Sequence, residues 1–345
     1  MTSLAQSETS RARSGWCAAD ATSDVRAPSA SGAAGTIVPL HVDRTDPCFF
    51  DHPLDHIPGM LLVTALLDVL RVDVRRHADA GLNRLRISLA FDRICELGEP
   101  VLLHSEPAPD EQGPAWLMSA EQEDHTVCRA AVSLARTATA ASTPTAATTP
   151  TVGPATATAA TPGGTGTGPA PATAFAPEHG AAPVLYPTPH PTGQPPADHA
   201  RPADAALVHR HHPENVLLGP SLRSEQAAVL VPPPGHRLHG GPEGLHTPAA
   251  LIESARQMAT LLGHAAHGRD PDAQMLWLTL EADVPTDLPT SVPLALRWEF
   301  APARGARAPY PLALLHAVTG ERLGRIEIAV HTLSRTRYLQ RRAAQ

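Results

Sequence analysis

The sequence lacks lysine altogether: all 27 of its Lys and Arg positions, in a chain of 345 residues, are arginine. This absence excludes a Schiff-base amine, an anchor for pyridoxal phosphate and the lysine of a phosphate-binding P-loop. Aromatic residues are also scarce, at 3%. The formal net charge of −7 argues against a general nucleic-acid binder, which would normally present a basic surface.

Long hydrophobic runs and paired cysteines are missing as well. The most apolar stretch, residues 57–70, is 14 residues long and contains Asp68, so no membrane-spanning helix is predicted. The four cysteines form no C-x-x-C motif and are widely spaced, at Cys17, Cys48, Cys95 and Cys128. Such cysteines are typical of a protein in a reducing cytoplasm, and Cys48, Cys95 and Cys128 are predicted to be small buried apolar residues.

Composition divides the chain into four parts. Gly (24) and Pro (37) together make about 18% of the residues, against roughly 12% in average usage. Residues 1–35 have no apolar run, and residues 137–204 consist largely of Ala, Thr, Pro and Gly. Because neither part has enough large side chains to offset the entropy of ordering, we predict a disordered tail and a long linker. The remaining blocks, 36–136 and 205–345, can each bury a core.

The first block predicts one strand, one buried helix and four further strands. The helix covers residues 59–71, which are apolar almost all round, and Pro58 suits its first turn. The strands are predicted from alternating or apolar runs, over residues 36–42, 84–92, 100–106, 115–121 and 125–135.

The second block repeats this plan. Its helix is predicted over residues 247–268, with Pro248 in the first turn and Gly268 as the stop. Its strands are predicted over residues 204–219, 226–233, 274–284, 292–300, 310–318 and 322–333. A helix wrapped by an antiparallel sheet, occurring twice, predicts an α+β double hot-dog fold in which the two sheets pair side by side.

Three segments carry a resemblance to a known family. "FFDHPLDHIPGMLL" (49–62), "LVHRHHPENVLLG" (207–219) and "HTPAALIESARQMATLLGHAAHG" (246–268) are similar to the DHxPGM-type, VHK-type and helix motifs of the A-factor biosynthesis (AfsA-type) proteins of actinomycetes. The resemblance covers both blocks, about 240 residues. The family has the VHK-type repeat first, whereas here the order of the repeats is reversed.

The resemblance implies acyl transfer, without a further cofactor. A β-ketoacyl group would pass from acyl carrier protein, or from CoA, to a small phosphorylated acceptor such as dihydroxyacetone phosphate, in γ-butyrolactone signal or secondary-metabolite biosynthesis in the cytoplasm. Two alternatives stay open: a hot-dog dehydratase or thioesterase, and a non-catalytic protein that binds an acyl group or a partner. A homodimer also stays open.

Family helices carry Glu and Arg three residues apart, and the second helix keeps them as Glu253 and Arg256. The first helix has Thr64 and Leu67 at the matching positions, so one of the two sites is expected to be degenerate. Burial of Glu253 would raise its pKa towards the range of a general base, and Arg256 would oppose that rise. The alternative is an ordinary ion pair on a helix surface.

In related hot-dog dehydratases, a loop histidine of one unit works with the helix acid of the other. By that analogy His52 or His56 is expected to face Glu253, and His246 to face Thr64 in the degenerate site. The residues expected to contact substrate are Gln257, Asp55, Gly59 and His246. Asp55 and its neighbours can also be explained as turn and cap chemistry.

Two further features have competing explanations. The histidines of "HRHH" (209–212) invite a metal site, but adjacent strand residues point to opposite faces and no ligand set at familiar spacing completes one, so none is predicted. The basic C-terminus could dock an acidic carrier protein or could be a frayed end. Its arginines are Arg335, Arg337, Arg341 and Arg342.

Overall fold

The computed structural model describes residues 35–74, 81–108, 113–137, 201–223, 225–240 and 244–343. Nearly all of the predicted tail, and most of the predicted linker, lie outside these ranges. The boundaries of the four predicted parts therefore stay predictions, as does the homodimer.

The first repeat folds in the predicted order of strand, helix and four strands. Helix α1 runs over Gly59–Val74, and Pro58 directly precedes it. The strands are β1 (Thr36–Pro39), β2 (Arg84–Phe91), β3 (Val101–Ala108), β4 (Ala115–Gln122) and β5 (His125–Ala135).

The second repeat contains helix α2 (Pro248–Ala265) and a C-terminal helix α3 (Arg335–Ala343). Thr247 caps α2, because its side chain accepts a hydrogen bond from the N–H of Ala250 at 3.1 Å. The strands are β6 (Leu218–Arg223), β7 (Gln226–Val229), β8 (Gln274–Pro285), β9 (Leu294–Trp298), β10 (Arg307–His316) and β11 (Arg322–Leu333).

Two predictions for this repeat were wrong. The strand predicted over residues 204–219 is instead two short 3-10 turns, Ala205–Val208 and Pro213–Asn215, and β6 begins only at Leu218. His209, between the turns, has a left-handed φ of 53°, which breaks an extended strand. The C-terminus is not a frayed end, because Tyr338 of α3 is buried.

The eleven strands of the described ranges form one antiparallel sheet in the order β1-β3-β4-β5-β2-β8-β11-β10-β9-β7-β6. The first five strands belong to the first repeat and the last six to the second. They join between β2 and β8, from Arg84 opposite Pro285 to Ala90 opposite Thr279. The sheets therefore pair side by side, and the predicted double hot-dog fold is confirmed.

Helices α1 and α2 pack on this sheet and against each other, so the two repeats share one apolar core. Residues such as Leu62 of α1, Ile252 of α2 and Leu280 of β8 are almost fully buried there. Within the described ranges, no helix has the length and apolar character needed to cross a membrane.

The junction of the repeats also creates an opening. The ladder between β2 and β8 ends at Ala90 and Thr279, yet β8 continues to Gln274 beside β11. Residues 274–278 therefore lie beyond the last pair of that ladder, next to the loop that precedes α1.

Candidate functional site

A cleft of about 330 Å³ lies at this opening and takes its walls from both repeats. The first repeat contributes the loop before α1, the first residues of α1 and the end of β2; the second contributes residues near α2 and the start of β8. Its apolar lining includes Phe49, Ile57, Met60, Phe91, Met275 and Trp277. Its arginines are Arg93, Arg210, Arg256, Arg307 and Arg341. The cleft thus combines an apolar wall with several positive charges.

A second groove, of about 500 Å³, crosses β2, β4, β5 and β8. Its polar groups serve one another: the Ser88 hydroxyl donates to Glu281 at 2.6 Å, and Arg86 lies 3.6 Å from Asp283. This groove contains no histidine or cysteine, so the cleft is the better candidate for chemistry.

Glu253 stands at the centre of a buried charge network beside the cleft. The residue is 1% exposed. Its Oε1 accepts hydrogen bonds from Arg210 Nη2 at 2.5 Å, Arg256 Nη2 at 2.8 Å and Gln257 Nε2 at 2.7 Å. Its Oε2 accepts from Arg256 Nε at 2.8 Å. Both carboxylate oxygens are therefore held by cationic or amide donors.

This geometry overturns the pKa predicted for Glu253. Burial does raise the pKa of the carboxyl group, but the charges and hydrogen bonds of Arg210 and Arg256 more than offset burial and lower it to about 2. Glu253 is also not among the residues that line the cleft, whereas both arginines are. The arrangement suits a fixed counter-ion behind two cleft arginines rather than a proton acceptor.

Arg210 is the site residue that the sequence interpretation missed. Its Nη1 donates to the carbonyl oxygen of Cys48 at 2.7 Å, which ties the two repeats together. The buried Asp51 accepts the N–H groups of His211 at 3.1 Å and His212 at 3.0 Å. The available signal was the resemblance itself, because Arg210 occupies the basic position of the family's VHK motif.

His52 lines the cleft as an uncharged imidazole. Burial, followed by the neighbouring His211, lowers its pKa. The ring centroids of His52 and His211 are 5.1 Å apart. Among the described residues, no group hydrogen-bonds to its buried Nδ1. The structure therefore brings His52 into one cleft with Arg256, as an imidazole able to accept a proton.

His56 also lines the cleft, but the groups close to its ring are ones that attach helix α3 to the first repeat. Its Nδ1 lies 2.7 Å from Asp55 Oδ1 and 3.3 Å from Tyr338 Oη. Asp55 accepts the Tyr338 hydroxyl at 2.8 Å, and Arg342 of α3 pairs with Glu96. Asp55, predicted to contact substrate, is not part of the cleft lining and instead anchors α3.

The start of α1 forms part of the cleft wall. Gly59 and Met60 both line it, and the first N–H groups of a helix have no carbonyl partner within that helix. A Cβ atom at Gly59 would lie 3.3 Å from Phe91 Cζ. Glycine therefore lets the helix approach the edge-on ring pair of Phe91 and Trp277, whose centroids are 5.6 Å apart.

In the predicted degenerate site, neither of the two described helix positions offers a free polar group. The Thr64 hydroxyl donates to the Met60 carbonyl of its own helix at 2.8 Å, and Leu67 belongs to the core. His246 is 2% exposed, lies 3.2 Å from the Val292 carbonyl through Nε2, and is absent from the cleft lining. The structure therefore does not place His246 where it could contact a substrate in the cleft.

Gln257 likewise has its polar groups satisfied inside the protein. Its Oε1 accepts the N–H of Leu217 at 2.8 Å, and its Nε2 donates to the Asn215 carbonyl at 2.7 Å as well as to Glu253. Gln257 thus holds the segment that precedes β6, and the predicted substrate contact does not fit this geometry.

His209, which lines the cleft together with His52 and His56, was also missed. His209 lies with its Nε2 3.0 Å from His264 Nε2, and burial together with Arg256 lowers its pKa to about 4. Within the described ranges, no three His, Cys, Asp or Glu side chains are grouped so that they could hold a metal ion.

Comparison with known proteins finds that parts of the sequence are similar to a known family and to a curated relative. Residues 192–334 match the family model "AfsA: A-factor biosynthesis hotdog domain". A relative from Streptomyces virginiae, named 2-oxo-3-(phosphooxy)propyl 3-oxoalkanoate synthase, is 33% identical over 91 residues, which are 26% of this chain and 30% of that relative. The chain thus spans less than a third of the length of the curated relative that it matches.

Solved hot-dog structures are similar only in overall fold. The TesB protein of Mycobacterium avium subs paratuberculosis is 14% identical, covers 81% of this chain and 88% of its own, and has a TM-score of 0.45. The dehydratase domain of the polyketide PpsC from Mycobacterium tuberculosis is 13% identical, covers 87% of this chain and 94% of its own, and has a TM-score of 0.45. Over residues 192–334, the chain is therefore similar to the A-factor biosynthesis (AfsA) hotdog domain.

Proposed function

We propose that this protein binds an acyl thioester of CoA or acyl carrier protein in the cleft and transfers a 3-oxoacyl group to a hydroxyl of a phosphorylated acceptor such as dihydroxyacetone phosphate. The observation that carries the proposal is the position of Arg210 and Arg256, which line a cleft with an apolar wall and have Glu253 held behind them. The match to the Streptomyces virginiae synthase supports the same reaction class.

In this reaction His52 takes the proton from the acceptor hydroxyl as the oxygen attacks the thioester carbonyl carbon. The C–S bond then breaks, and the leaving thiolate receives the proton from His52. The pKa of His52 is lowered by burial, so its imidazole is in the neutral, proton-accepting form at neutral pH.

The negative charge that develops on the carbonyl oxygen needs fixed donors. Gly59 and Met60 bring the first turn of α1 to the cleft wall, where free N–H groups and the helix dipole favour negative charge. Arg256, 17% exposed, supplies a cation that pairs well with a phosphate or an oxyanion.

Glu253 acts on this site indirectly. Its buried carboxylate binds both guanidinium groups and therefore fixes their positions before substrate arrives, which reduces the reorganisation needed during the reaction. Cys48, Cys95 and Cys128 are unpaired buried thiols, and this supports a cytoplasmic location for the reaction.

The direct test mixes the purified chain with 3-oxoacyl carrier protein and dihydroxyacetone phosphate, with mass spectrometry as the readout. Formation of the acyl ester together with free carrier thiol would support transfer. Free 3-oxo acid would instead indicate a thioesterase. In a parallel incubation with 3-hydroxyacyl carrier protein, loss of water would indicate a dehydratase.

A specific observation favours one alternative, a non-catalytic acyl-binding protein. Both oxygens of Glu253 are occupied by internal donors, and α1 offers only Thr64 and Leu67 at the matching positions. Retention of an intact acyl thioester without any product in the same assay would support this alternative.

A further inference from the structure

The cleft reaches both faces of the sheet at the place where the ladder between β2 and β8 ends. Residues 274–278 of β8 all line it, although neighbouring residues of a strand point to opposite faces. Trp277 is opposite Val330, which is 1% exposed and lies in the core, whereas Leu276 is opposite His331. The cleft therefore has an inner end on the core side of the sheet and an outer mouth on the other side.

Basic residues line the outer mouth. Arg307 is directly opposite His331, so the two residues share a face of the sheet. Burial, followed by the charges of Arg307 and Arg341, lowers the pKa of His331, so both guanidinium groups lie close to this ring. All three residues line the cleft, and we refer to Arg307, Arg341 and His331 as the mouth set.

The positive charges of the mouth set differ from those at the inner end of the cleft. The inner arginines share the buried carboxylate of Glu253. In the part of the chain that the structure describes, neither Arg307 nor Arg341 is paired with a carboxylate. Asp92 is the one carboxylate among the described residues of the cleft lining, and Arg129 binds both of its oxygens, at 2.9 and 3.0 Å. The mouth set thus offers two positive charges to an anionic ligand.

Helix α3 holds Arg341 at the mouth. The Tyr338 hydroxyl donates to Asp55 at 2.8 Å, and Arg342 Nη2 donates to Glu96 at 2.6 Å. These bonds attach α3 to the first repeat, and they occupy the two acidic side chains that flank the cleft there. Arg341 therefore stands on an anchored helix with the neighbouring carboxylates already bound.

We infer that the mouth set binds the phosphate of the phosphopantetheine arm of the substrate, while the thioester lies at the inner end of the cleft. This inference rests on the proposed function, because it assigns the direction of the thioester in the same cleft. Guanidinium groups suit phosphate, because they donate several charge-assisted hydrogen bonds to its oxygens. CoA and acyl carrier protein present the same arm, so the mouth set would serve either carrier.

The position of the mouth set favours this phosphate over that of the acceptor. Strand β10 is two strands away from β8, which separates the backbone of Arg307 from that of Leu276 by about 10 Å. The thioester belongs near the first turn of α1, where a Cβ atom on Gly59 would lie 3.7 Å from Trp277 Cε3. A three-carbon acceptor is too short to react there and reach the mouth, whereas an extended pantetheine arm is long enough. The acceptor phosphate is therefore left to Arg256.

The test is equilibrium binding, by calorimetry, of the S-hexyl thioethers of pantetheine, 4′-phosphopantetheine and CoA. The first two differ only in the phosphate, and we expect the phosphate to tighten binding about tenfold. The CoA thioether should keep this gain. Arg307→Gln and Arg341→Gln should each remove most of it. Arg304→Gln and Arg337→Gln are matched controls, because they remove the same charge from exposed positions outside the cleft lining, and they should leave the gain unaltered.

Equal affinity of the pantetheine and phosphopantetheine thioethers would overturn the inference while leaving the proposed function intact. A gain that persists in both Arg307→Gln and Arg341→Gln would do the same, as would one that all four variants reduce alike or one that appears only with CoA. A raised KM for dihydroxyacetone phosphate in Arg307→Gln, with the gain retained, would assign the mouth set to the acceptor instead. Failure of every thioether to bind would overturn the proposed function together with the inference.

Discussion

The two helices α1 and α2 occupy equivalent places in their repeats, yet only one carries charge in its buried middle. Glu253 in α2 is bound by Arg210 and Arg256, whereas Thr64 in α1 bonds to its own helix and Leu67 packs in the core. What α1 contributes is its first turn, which lines the cleft.

The two repeats therefore contribute different parts of the cleft. The cleft receives a helix start from one repeat and fixed cations from the other, so the site that we propose is a single composite one. Cross-repeat bonds such as Arg210 to the Cys48 carbonyl at 2.7 Å hold the two contributions in register.

The largest expected effect concerns the charge at Glu253. Glu253→Gln would leave two guanidinium groups without their counter-ion, and breaking a buried pair in this way costs about 3–5 kcal/mol. Asp68→Asn on α1 removes a half-exposed carboxylate, so its cost should stay within about 1 kcal/mol. Urea unfolding of both variants measures the contrast, and equal losses would refute it.

The charge of Glu253 also predicts that the stability of the fold depends on pH. Because the pKa of Glu253 is lowered from 4.5 to about 2, its charge stabilises the fold fully above pH 4.5, and that stabilisation is lost as pH falls through 2. The difference in unfolding free energy between wild type and Glu253→Gln should therefore shrink over this range. A difference that grows on acidification would contradict the charge network.

The next effect is on transfer rate. Arg256→Gln removes a cleft cation and should lower the rate of acyl transfer by about 100- to 1000-fold, as expected for loss of one stabilising donor. Arg71→Gln removes an exposed arginine at the end of α1 and should leave the rate unchanged. Single-turnover mass spectrometry measures both, and similar rates for the two variants would remove Arg256 from the site.

A smaller effect is expected at His52. Loss of the general base in His52→Asn should slow transfer about 100-fold. In the wild type, the acid limb of the pH–rate profile should have its midpoint below pH 6.5, the ordinary pKa of histidine, because burial lowers the pKa of His52. Rate should be lost as pH falls. A midpoint above 7, or an identical acid limb in His52→Asn, would show that another group is titrating.

The smallest effect is expected at Thr64. Thr64→Val removes one hydroxyl that bonds within α1 and should cost about 1 kcal/mol of stability with no loss of transfer rate. A large loss of activity would mean that α1 retains a working site, and it would contradict the claim that the two helices contribute differently.

Much of the fold followed from local patterns. The apolar run at Gly59 and the capped helix beginning at Pro248 were both predictable, as were the alternating strands. The helix resemblance also located Glu253 and Arg256. These features depend on residues that are neighbours in sequence, so they can be predicted from the sequence alone.

The rest depends on contacts between distant residues. Arg210 lies 43 residues before Glu253, and its guanidinium, together with Arg256, reverses the expected direction of the Glu253 pKa. The left-handed φ of His209 turns the predicted strand into the short turns that deliver Arg210. Tyr338 reaches Asp55 across 283 positions, which no local pattern reveals.

The most direct test of the single composite site is a crystal structure of the full chain with a non-hydrolysable S-alkyl-CoA thioether. The proposed site predicts the sulfur between the first turn of α1, at Gly59 and Met60, and the guanidinium of Arg256. A thioether sulfur beside His246 and the start of α2, with the Arg256 cleft empty, would contradict it.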